Sequence, residues 1–404
     1  MPIDFKKLMF ARFFFTFGVQ MQVIVLGWRM YELTRDPLYL GLIGLAEAIP
    51  ALGLALFAGY IVDRSRPLHV YRRVVLVSLV SALIMLYCQL PSSGISAEVQ
   101  VYTLFASSFL SGTARAFSQP AMYSIVPRLI PRELLTKSSA WMSSAMQVAR
   151  ISGPALGGIL YGFLGISGTA SIVCLFLLVT LASLYMIRIQ IEPRPIIDKE
   201  HSIKEELLSG ARFVFKHPIL FPALTLDMVS VLFGGVTALL PIYAAEILMV
   251  GPKGLGILRG SPAIGAAIMT FWLIRYDIKK KAGTYLFSAV TGFGICILVF
   301  ALSRDFTLSL IALTLSGAFD SVSMVIRTSA VQMTSPENMR GRISAVNSIF
   351  IGSSNELGEF ESGVAAKFLG AMNAAVFGGI VCLATVGIMA LVSPRLRKLD
   401  LTDL

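Results

Sequence analysis

Apolar residues in this chain are grouped into long stretches, and short polar or charged segments separate each stretch from the next. A stretch of roughly 20 apolar residues is the length that crosses a hydrocarbon core as an α-helix. The 404 residues contain twelve such stretches, at approximately 10–32, 39–62, 74–91, 100–124, 138–163, 169–188, 218–244, 254–274, 285–303, 306–331, 343–368 and 371–392. The pattern predicts an all-α membrane protein with twelve transmembrane helices.

The second half of the chain repeats the first. Aligned without a gap, Gly112–Gly165 matches Gly317–Gly370, and glycines recur at equivalent positions while charges do not. Duplicated halves are typical of secondary transporters, whose binding site lies near the middle of the bilayer between the repeats. We therefore expect two pseudo-symmetric six-helix bundles, residues 1–188 and 217–404, joined by a cytoplasmic linker at 189–216.

Composition and charge extend this picture. Hydrophobic residues make up 56% of the chain and charged residues 14%, which leaves too little polar surface to cover a soluble globule. The predicted outer loops contain Arg35, Lys253 and Arg304, whereas most of the 34 lysines and arginines lie in the predicted inner segments. Cationic loops are retained on the cytoplasmic side during insertion. Both termini are therefore expected to be cytoplasmic, in an inner (plasma) membrane of bacterial type.

The net charge of +11 follows from this insertion bias and from attraction to anionic lipid, so nucleic acid is not an expected partner. The four cysteines lie inside predicted spans without metal-ligand spacing, and the three histidines lie at or near cytoplasmic ends. No catalytic or phosphate-cradling motif is found. We expect a protein that is not an enzyme, holds no metal or cofactor, and takes its energy from an ion gradient.

One local motif is Gly59-Tyr60-Ile61-Val62-Asp63-Arg64, at the end of the second predicted span. It resembles the loop signature of the major facilitator superfamily, except that Arg66-Pro67-Leu68 stand where a glycine and basic residues are usual. The resemblance implies that Asp63 and Arg64 form a cytoplasmic latch. The alternative is that Asp63 caps a helix and the arginines only set the topology.

A second motif, Gly153-Pro154-Ala155-Leu156-Gly157-Gly158, lies in the fifth predicted span. It resembles the element typical of superfamily members that work as exporters, although Ala149 replaces the usual earlier glycine. Ordinary close packing of small residues is the alternative explanation. Strings such as Gln119-Pro120-Ala121 resemble the branch that includes enterobactin exporters and drug-efflux proteins. This resemblance implies the major facilitator fold and export.

Ionisable residues inside spans are costly in hydrocarbon, and they normally mark the transport pathway. The candidates for proton coupling are Glu356, Asp227, Glu47 and Asp320. The candidates for substrate binding are Gln20, Arg115, Arg150, Arg327 and Glu359. Glu356 is the preferred proton carrier, because it lies near the predicted bilayer centre, where desolvation favours the neutral carboxyl. Asp320 and Arg327 share a helix face and could instead pair with each other.

The repeat places Arg115 opposite Asp320, so one half has a cation where the other has an acid. Such charges could hold a polar substrate or could pair between the halves as a gate. Our hypothesis is a proton-coupled exporter of a drug-like compound or siderophore that works by alternating access as a monomer, with lipid, protons and a small molecule as its partners. The alternatives are an uptake symporter, or a transport-inactive receptor or scaffold with the same fold.

Overall fold

A computed structural model describes residues 2–90, 93–131, 134–188, 203–276, 278, 280–336 and 339–403. All regular structure in these ranges is helical. The α-helices are α1 (Ile3–Thr34), α2 (Pro37–Gly53), α3 (Ala55–Arg64), α4 (Pro67–Cys88), α5 (Ala97–Leu129), α6 (Leu135–Tyr185), α7 (Ile203–Lys216), α8 (Leu220–Gly234), α9 (Leu240–Ile242), α10 (Gly251–Arg275), α11 (Ala282–Leu302), α12 (Phe306–Thr334), α13 (Arg340–Leu369), α14 (Ala371–Val392) and α15 (Pro394–Arg397). A π-helical turn, Tyr243–Ile247, precedes α10.

Several helices begin where a polar side chain satisfies the free N–H groups of the first turn. The Asp36 carboxylate accepts from the Leu38 N–H at 3.0 Å, and the Asp305 carboxylate accepts from the Leu308 N–H at 2.8 Å. His217 precedes α8, and its Nδ1 accepts from two backbone N–H groups. Burial lowers the pKa of His217, which keeps the ring in the neutral form that this contact needs.

Helices cover all twelve predicted spans, and the prediction of an all-α membrane fold is confirmed. Among the described residues, eight helices are long and apolar enough to cross a membrane. One of them, Trp141–Tyr185, covers two predicted spans, because Gly165 has φ +65° and ψ −169° and interrupts the helix. The other three predicted spans correspond to α2 with α3, to α5 and to α13.

By proximity, the residues form two units. Unit 1 comprises Met1–Ile197 with Ala244–Gly260, and unit 2 comprises Asp198–Tyr243 with Ser261–Leu404. Each unit has its own buried apolar cluster. The cluster of unit 1 includes Phe5, Leu8, Met21 and Tyr71, and that of unit 2 includes Leu220, Leu224, Leu286 and Ile326. The boundaries 1–188, 189–216 and 217–404, drawn along the sequence, stay a prediction.

Part of the predicted linker lies outside the described residues, which resume at Ile203 with α7. This helix packs against α13 within unit 2. Arg342 on α13 donates to the Ser209 hydroxyl at 3.2 Å, and Val214 is fully buried. The end of the predicted linker is therefore a packed helix.

The internal repeat is visible in how equivalent glycines pack. Gly112 on α5 lies directly against the backbone of Glu47 on α2, and its counterpart Gly317 on α12 lies against the backbone of Pro262 on α10. Small residues at such points let helix backbones approach closely. The same contact, between the second and fourth spans of a half, thus recurs in both units.

Two further pairs of equivalent glycines also have the same structural role in both halves. A Cβ at Gly153 would lie 3.2 Å from the Phe17 carbonyl on α1, and one at Gly358 would lie 2.8 Å from the Leu232 carbonyl on α8. Gly165 and its counterpart Gly370 both have positive φ, +65° and +82°, and each separates the last two spans of its half. Glycine reaches this backbone region without steric cost. The repeated glycines therefore set helix contacts and helix breaks.

We predict that Gly317→Ala destabilises the protein, because the added methyl would lie 2.6 Å from the Pro262 Cα. Overpacking of this kind costs about 1–3 kcal/mol. Gly387→Ala on α14 is the matched control, since nothing lies within 4 Å of its Cβ position. Thermal unfolding of the detergent-solubilised variants checks this, and equal melting temperatures would contradict the close contact.

Candidate functional site

A buried ion pair lies inside unit 2. Arg327 on α12 places Nη1 2.6 Å from Oδ2 of Asp227 on α8, and each residue is only 6% exposed. The Arg327 Nε also donates to the Ser323 hydroxyl at 3.3 Å, one turn earlier on α12. Charged groups are buried at a tolerable cost only when they are paired and hydrogen-bonded. This pair therefore fixes α8 against α12.

Asp320 belongs to the same group of charges. It lies two turns before Arg327 on α12, is half-buried, and interacts electrostatically with Arg327 and Asp227. The sequence left open whether Asp320 forms an ion pair with Arg327 within one helix. The structure instead gives Arg327 an ion pair between helices, with Asp227. A second carboxyl group, that of Asp320, thus lies near the Asp227–Arg327 ion pair in the interior of unit 2.

Unit 1 holds a second ion pair between predicted site residues. Arg115 on α5 places Nη1 3.0 Å from Oε1 of Glu47 on α2. The Arg115 side chain is 45% exposed and that of Glu47 is 17% exposed, so this pair is less buried than the pair in unit 2. Because Glu47 also supplies the backbone against which Gly112 packs, the charge pair and the glycine contact join the same two helices.

Arg12, an ionisable residue of the first predicted span that was not among the candidates for proton coupling or substrate binding, forms polar contacts in unit 1. Its guanidinium donates to the Ser118 hydroxyl at 2.5 Å, to the Gln119 side-chain oxygen at 2.7 Å and to the Tyr71 hydroxyl at 3.3 Å. These contacts join α1 to α5 and to α4. The sequence feature that could have indicated these contacts is an arginine in the first predicted span together with the polar residues Ser118 and Gln119 in the fourth.

The remaining predicted residues are placed as follows. Gln20 on α1 is half-buried beside Gly153, and Arg150 on α6 is exposed. Glu356 and Glu359 are half-buried on α13, one turn apart. The structure therefore brings together Asp227, Asp320 and Arg327, and separately Glu47 and Arg115. The functional roles of all these residues stay predictions.

The glycine motif of α6 packs on two sides. Cβ positions at Gly153 and Gly157 point at α1, the second lying 3.1 Å from the Met21 Cα. Gly158 instead packs against the first turns of α10, where a Cβ at Gly256 would lie 2.8 Å from the Pro154 carbonyl. The small residues thus let α6 touch both helices within unit 1.

The motif that resembles the superfamily loop is less fully described. Gly59 is half-buried on α3, and the guanidinium carbon of Arg64 lies 4.1 Å from the centre of the Tyr60 ring. The side chain of Asp63 lies outside the described residues. The latch role of Asp63 and Arg64 stays a prediction.

A network of tyrosines and carboxylates near the end of α1 was missed. The Tyr31 hydroxyl donates to Glu246 at 2.5 Å, and the Tyr161 hydroxyl donates to Glu32 at 2.6 Å. The Trp28 indole N–H donates to the other oxygen of Glu32 at 2.6 Å. These residues sit near span ends, where a search for acids deep inside the spans does not look. The sequence feature that could have indicated this network is a tyrosine followed directly by an acid, at positions 31 and 32.

This network helps to hold the segment Ala244–Gly260 in unit 1. Lys253 in this segment places Nζ 3.4 Å from the centre of the Phe163 ring on α6. Gly256, also in the segment, packs against Gly158 of α6. Hydrogen bonding, a cation–π contact and close helix packing therefore act on the same stretch of chain.

Twelve spans in duplicated halves, with paired charges inside each unit, define a transporter of the major facilitator fold. Solved structures share this fold. A transporter of the POT family in complex with 5-aminolevulinic acid superposes with a TM-score of 0.78 at 14% identity, covering 98% of this chain and 97% of the other. A bacterial homologue of the iron transporter ferroportin, in an inward-facing state, has a TM-score of 0.75 at 17% identity, covering 98% and 99%.

The family described as transmembrane secretion effector matches residues 3–404, and the chain belongs to this family. Relatives named enterobactin exporter EntS, from Shigella dysenteriae and from Citrobacter koseri, are each 23% identical over 249 residues. The match covers 62% of this chain and 59% of the length of these relatives. The resemblance to the major facilitator superfamily is confirmed, and the protein is a multi-pass membrane transporter, not an enzyme.

We predict that Arg327→Gln lowers the free energy of unfolding by about 3–5 kcal/mol, because it leaves the buried Asp227 carboxyl group without its partner. The double variant Asp227→Asn with Arg327→Gln should recover much of this loss. Arg115→Gln, in the more exposed pair, should cost at most about 1 kcal/mol. Denaturation in detergent micelles measures all three, and a double variant no more stable than Arg327→Gln would contradict the pairing.

We also predict that Tyr31→Phe loosens the segment that contains Glu246. Hydrogen bonds to charged groups contribute about 1.5–3 kcal/mol, so backbone amides at 244–250 should exchange with deuterium about 10- to 150-fold faster. Tyr102→Phe is the control, since Tyr102 is 63% exposed. Equal exchange in Tyr31→Phe and in the unsubstituted protein would mean that the contact does not hold the segment.

Proposed function

We propose that this protein is a proton-coupled exporter of a small organic molecule, working by alternating access in an inner (plasma) membrane with both termini cytoplasmic. Membership of the transmembrane secretion effector family and the exporter name of its relatives support the direction. The observation that carries the proposal is the buried ion pair of Asp227 with Arg327 inside unit 2, with the carboxyl group of Asp320 nearby on α12.

This grouping has a direct electrostatic consequence. With both carboxyl groups ionised, the three side chains carry a net negative charge in apolar surroundings, where uncompensated charge is costly. Binding one proton removes that excess. A conformational change that admits water would lower the cost of the ionised form and release the proton. Such a cycle is the requirement for coupling proton entry to substrate exit.

Glu356 remains the preferred carrier of the transported proton, with Asp227, Asp320 and Glu47 as the further candidates. Glu356 is half-buried on α13, whereas Asp227 is only 6% exposed. A carrier must be reached by protons in at least one state, so partial exposure favours Glu356. Asp227 and Asp320 would then tune the charge of unit 2.

The substrate class proposed first is an anionic siderophore, with a drug-like compound as the second. The relatives are named for export of enterobactin. Arg115 and Arg150 offer guanidinium groups, which bind planar anionic oxygens in two-point contacts. Both arginines are exposed, and Gln20 and Glu359 add polar groups that are half-buried. Arg327 is buried against Asp227, so it is a weaker candidate for direct substrate contact.

Inside-out membrane vesicles test the proposal. When the vesicle lumen is more acidic than the outside, the vesicles should accumulate a catecholate siderophore. Protons that leave the lumen would then drive the siderophore into it. Glu356→Gln should abolish gradient-driven accumulation, whereas Glu98→Gln, an exposed acid at the start of α5, should leave it unchanged. A cationic dye run in parallel distinguishes the two substrate classes.

Four other results would each contradict a part of this proposal. Accumulation that ignores the pH gradient would reject proton coupling. Accumulation only in right-side-out vesicles would reject export in favour of uptake. If Glu356→Gln transports normally while a folded Asp227→Asn variant does not, the carrier role moves to Asp227. No flux of either substrate, with unchanged folding, would favour a receptor or scaffold.

A further inference from the structure

A groove of about 810 Å³ lies within unit 2, between the first turns of α11, the last turns of α14 and the segment that follows α14. Its volume is in the range of small-molecule binding sites. Its two ends differ in chemistry. One end carries Lys281, Arg397 and Lys398, and the other is walled by apolar side chains including Ile295 and Val386.

The charged end is held in place by the backbone. The Asp400 carboxylate accepts a hydrogen bond from the Lys281 N–H, and the Leu399 carbonyl accepts one from the Gly283 N–H at 2.9 Å. Leu396 and Leu399, beside Arg397 and Lys398, are 0% and 4% exposed. Buried leucines thus anchor the segment after α14 while its two cations remain exposed.

The lining of the charged end has an excess of positive charge. Three cations and one carboxylate, Asp400, face the groove, which leaves a net charge of +2. Asp400 is already engaged by the backbone of Lys281. Within the described part of the chain, the side chains of the three cations form no ion pair. The hydroxyls of Thr284 and Ser288 add hydrogen-bond donors next to them.

The apolar end runs along the helices. Phe287, Thr291 and Ile295 follow one another at intervals of four residues, so they share one face of α11. From Lys281 to Ile295 the helix axis rises by about 21 Å. Next to the groove, Ile388 and Leu391 of α14 are 59% and 81% exposed, as expected of side chains that face acyl chains.

We propose that this groove binds an anionic phospholipid, with the head-group phosphate at Lys281, Arg397 and Lys398 and one acyl chain between α11 and α14. The positive charge at one end of the groove favours an anionic ligand. The apolar side chains at the other end favour a ligand that also carries a hydrocarbon chain. Basic pockets between transmembrane helices are suited to anionic lipid head groups. The occupant is thus a lipid of the leaflet at this end of the helices.

Native mass spectrometry of the purified full chain tests the proposal, with phosphatidylglycerol and phosphatidylcholine of identical acyl chains as probes. One phosphatidylglycerol should be retained in preference to phosphatidylcholine. Arg397→Gln should weaken its binding roughly fivefold, the effect of one cation at a membrane surface. Arg395→Gln is the matched control, since this exposed arginine of the same helix does not line the groove.

A second variant tests the acyl chain without changing charge. A Cβ at Gly387 has nothing within 4 Å, so Gly387→Leu should fold and fill the groove. It should reduce retention of phosphatidylglycerol, whereas Ile388→Leu on the adjacent exposed position should not. Equal effects of Arg397→Gln and Arg395→Gln would overturn the proposal. Unchanged binding in Gly387→Leu, or equal binding of glycerophosphate without acyl chains, would also overturn it.

Discussion

A charge is costly to place among apolar helices unless an opposite charge or hydrogen bonds compensate for it, and each unit contains an ion pair between helices. In unit 2, Arg327 reaches across from α12 to Asp227 on α8. In unit 1, Arg115 reaches from α5 to Glu47 on α2. Each pair joins two helices that are far apart in sequence. These ion pairs therefore help to specify which helices pack together.

The helix backbones meet at points where a side chain would not fit. Gly112 and Gly317 bring the second and fourth spans of their halves into contact, and Gly153 and Gly358 do the same for the first and fifth. The ion pair of unit 1 lies next to one of these contacts, since Glu47 takes part in both. Close packing limits how far the helices can shift, which keeps the charges within pairing distance.

The all-α membrane fold could be predicted from the sequence, because the length of an apolar stretch decides whether it can cross a membrane as a helix. The break at Gly165 was expected from the boundary between two apolar stretches, and it was found as a left-handed glycine. The ion-pair partner of Arg327 could not be predicted from the lengths and boundaries of the apolar stretches. Helix periodicity relates Arg327 to Asp320 on its own helix, whereas the choice of Asp227 depends on how α8 packs beside α12.

The tyrosine network shows a second limit of sequence reasoning. The rule that ionisable groups inside spans are functional directs attention to the middle of each helix, whereas Glu32 and Glu246 lie near span ends. Their tyrosine partners carry no formal charge, so charge patterning does not reveal them. A hydrogen bond such as Tyr31 to Glu246 joins residues far apart in sequence and becomes visible only once the helices are placed.

The two halves share their glycines and differ in their charges, and the structure gives this difference a physical meaning. Arg115 and Asp320 occupy equivalent positions of the repeat, but their surroundings differ. Arg115 forms an ion pair with Glu47 on the second span of its half. Asp320 lies beside the ion pair of Asp227 and Arg327, which are on the first and fourth spans of the other half. Both Arg115 and Arg327 therefore find an acid within their own unit, and pairing between the halves is not needed to neutralise them. Because the glycine contacts do not depend on charge, the charges of one half can change without altering its helix packing.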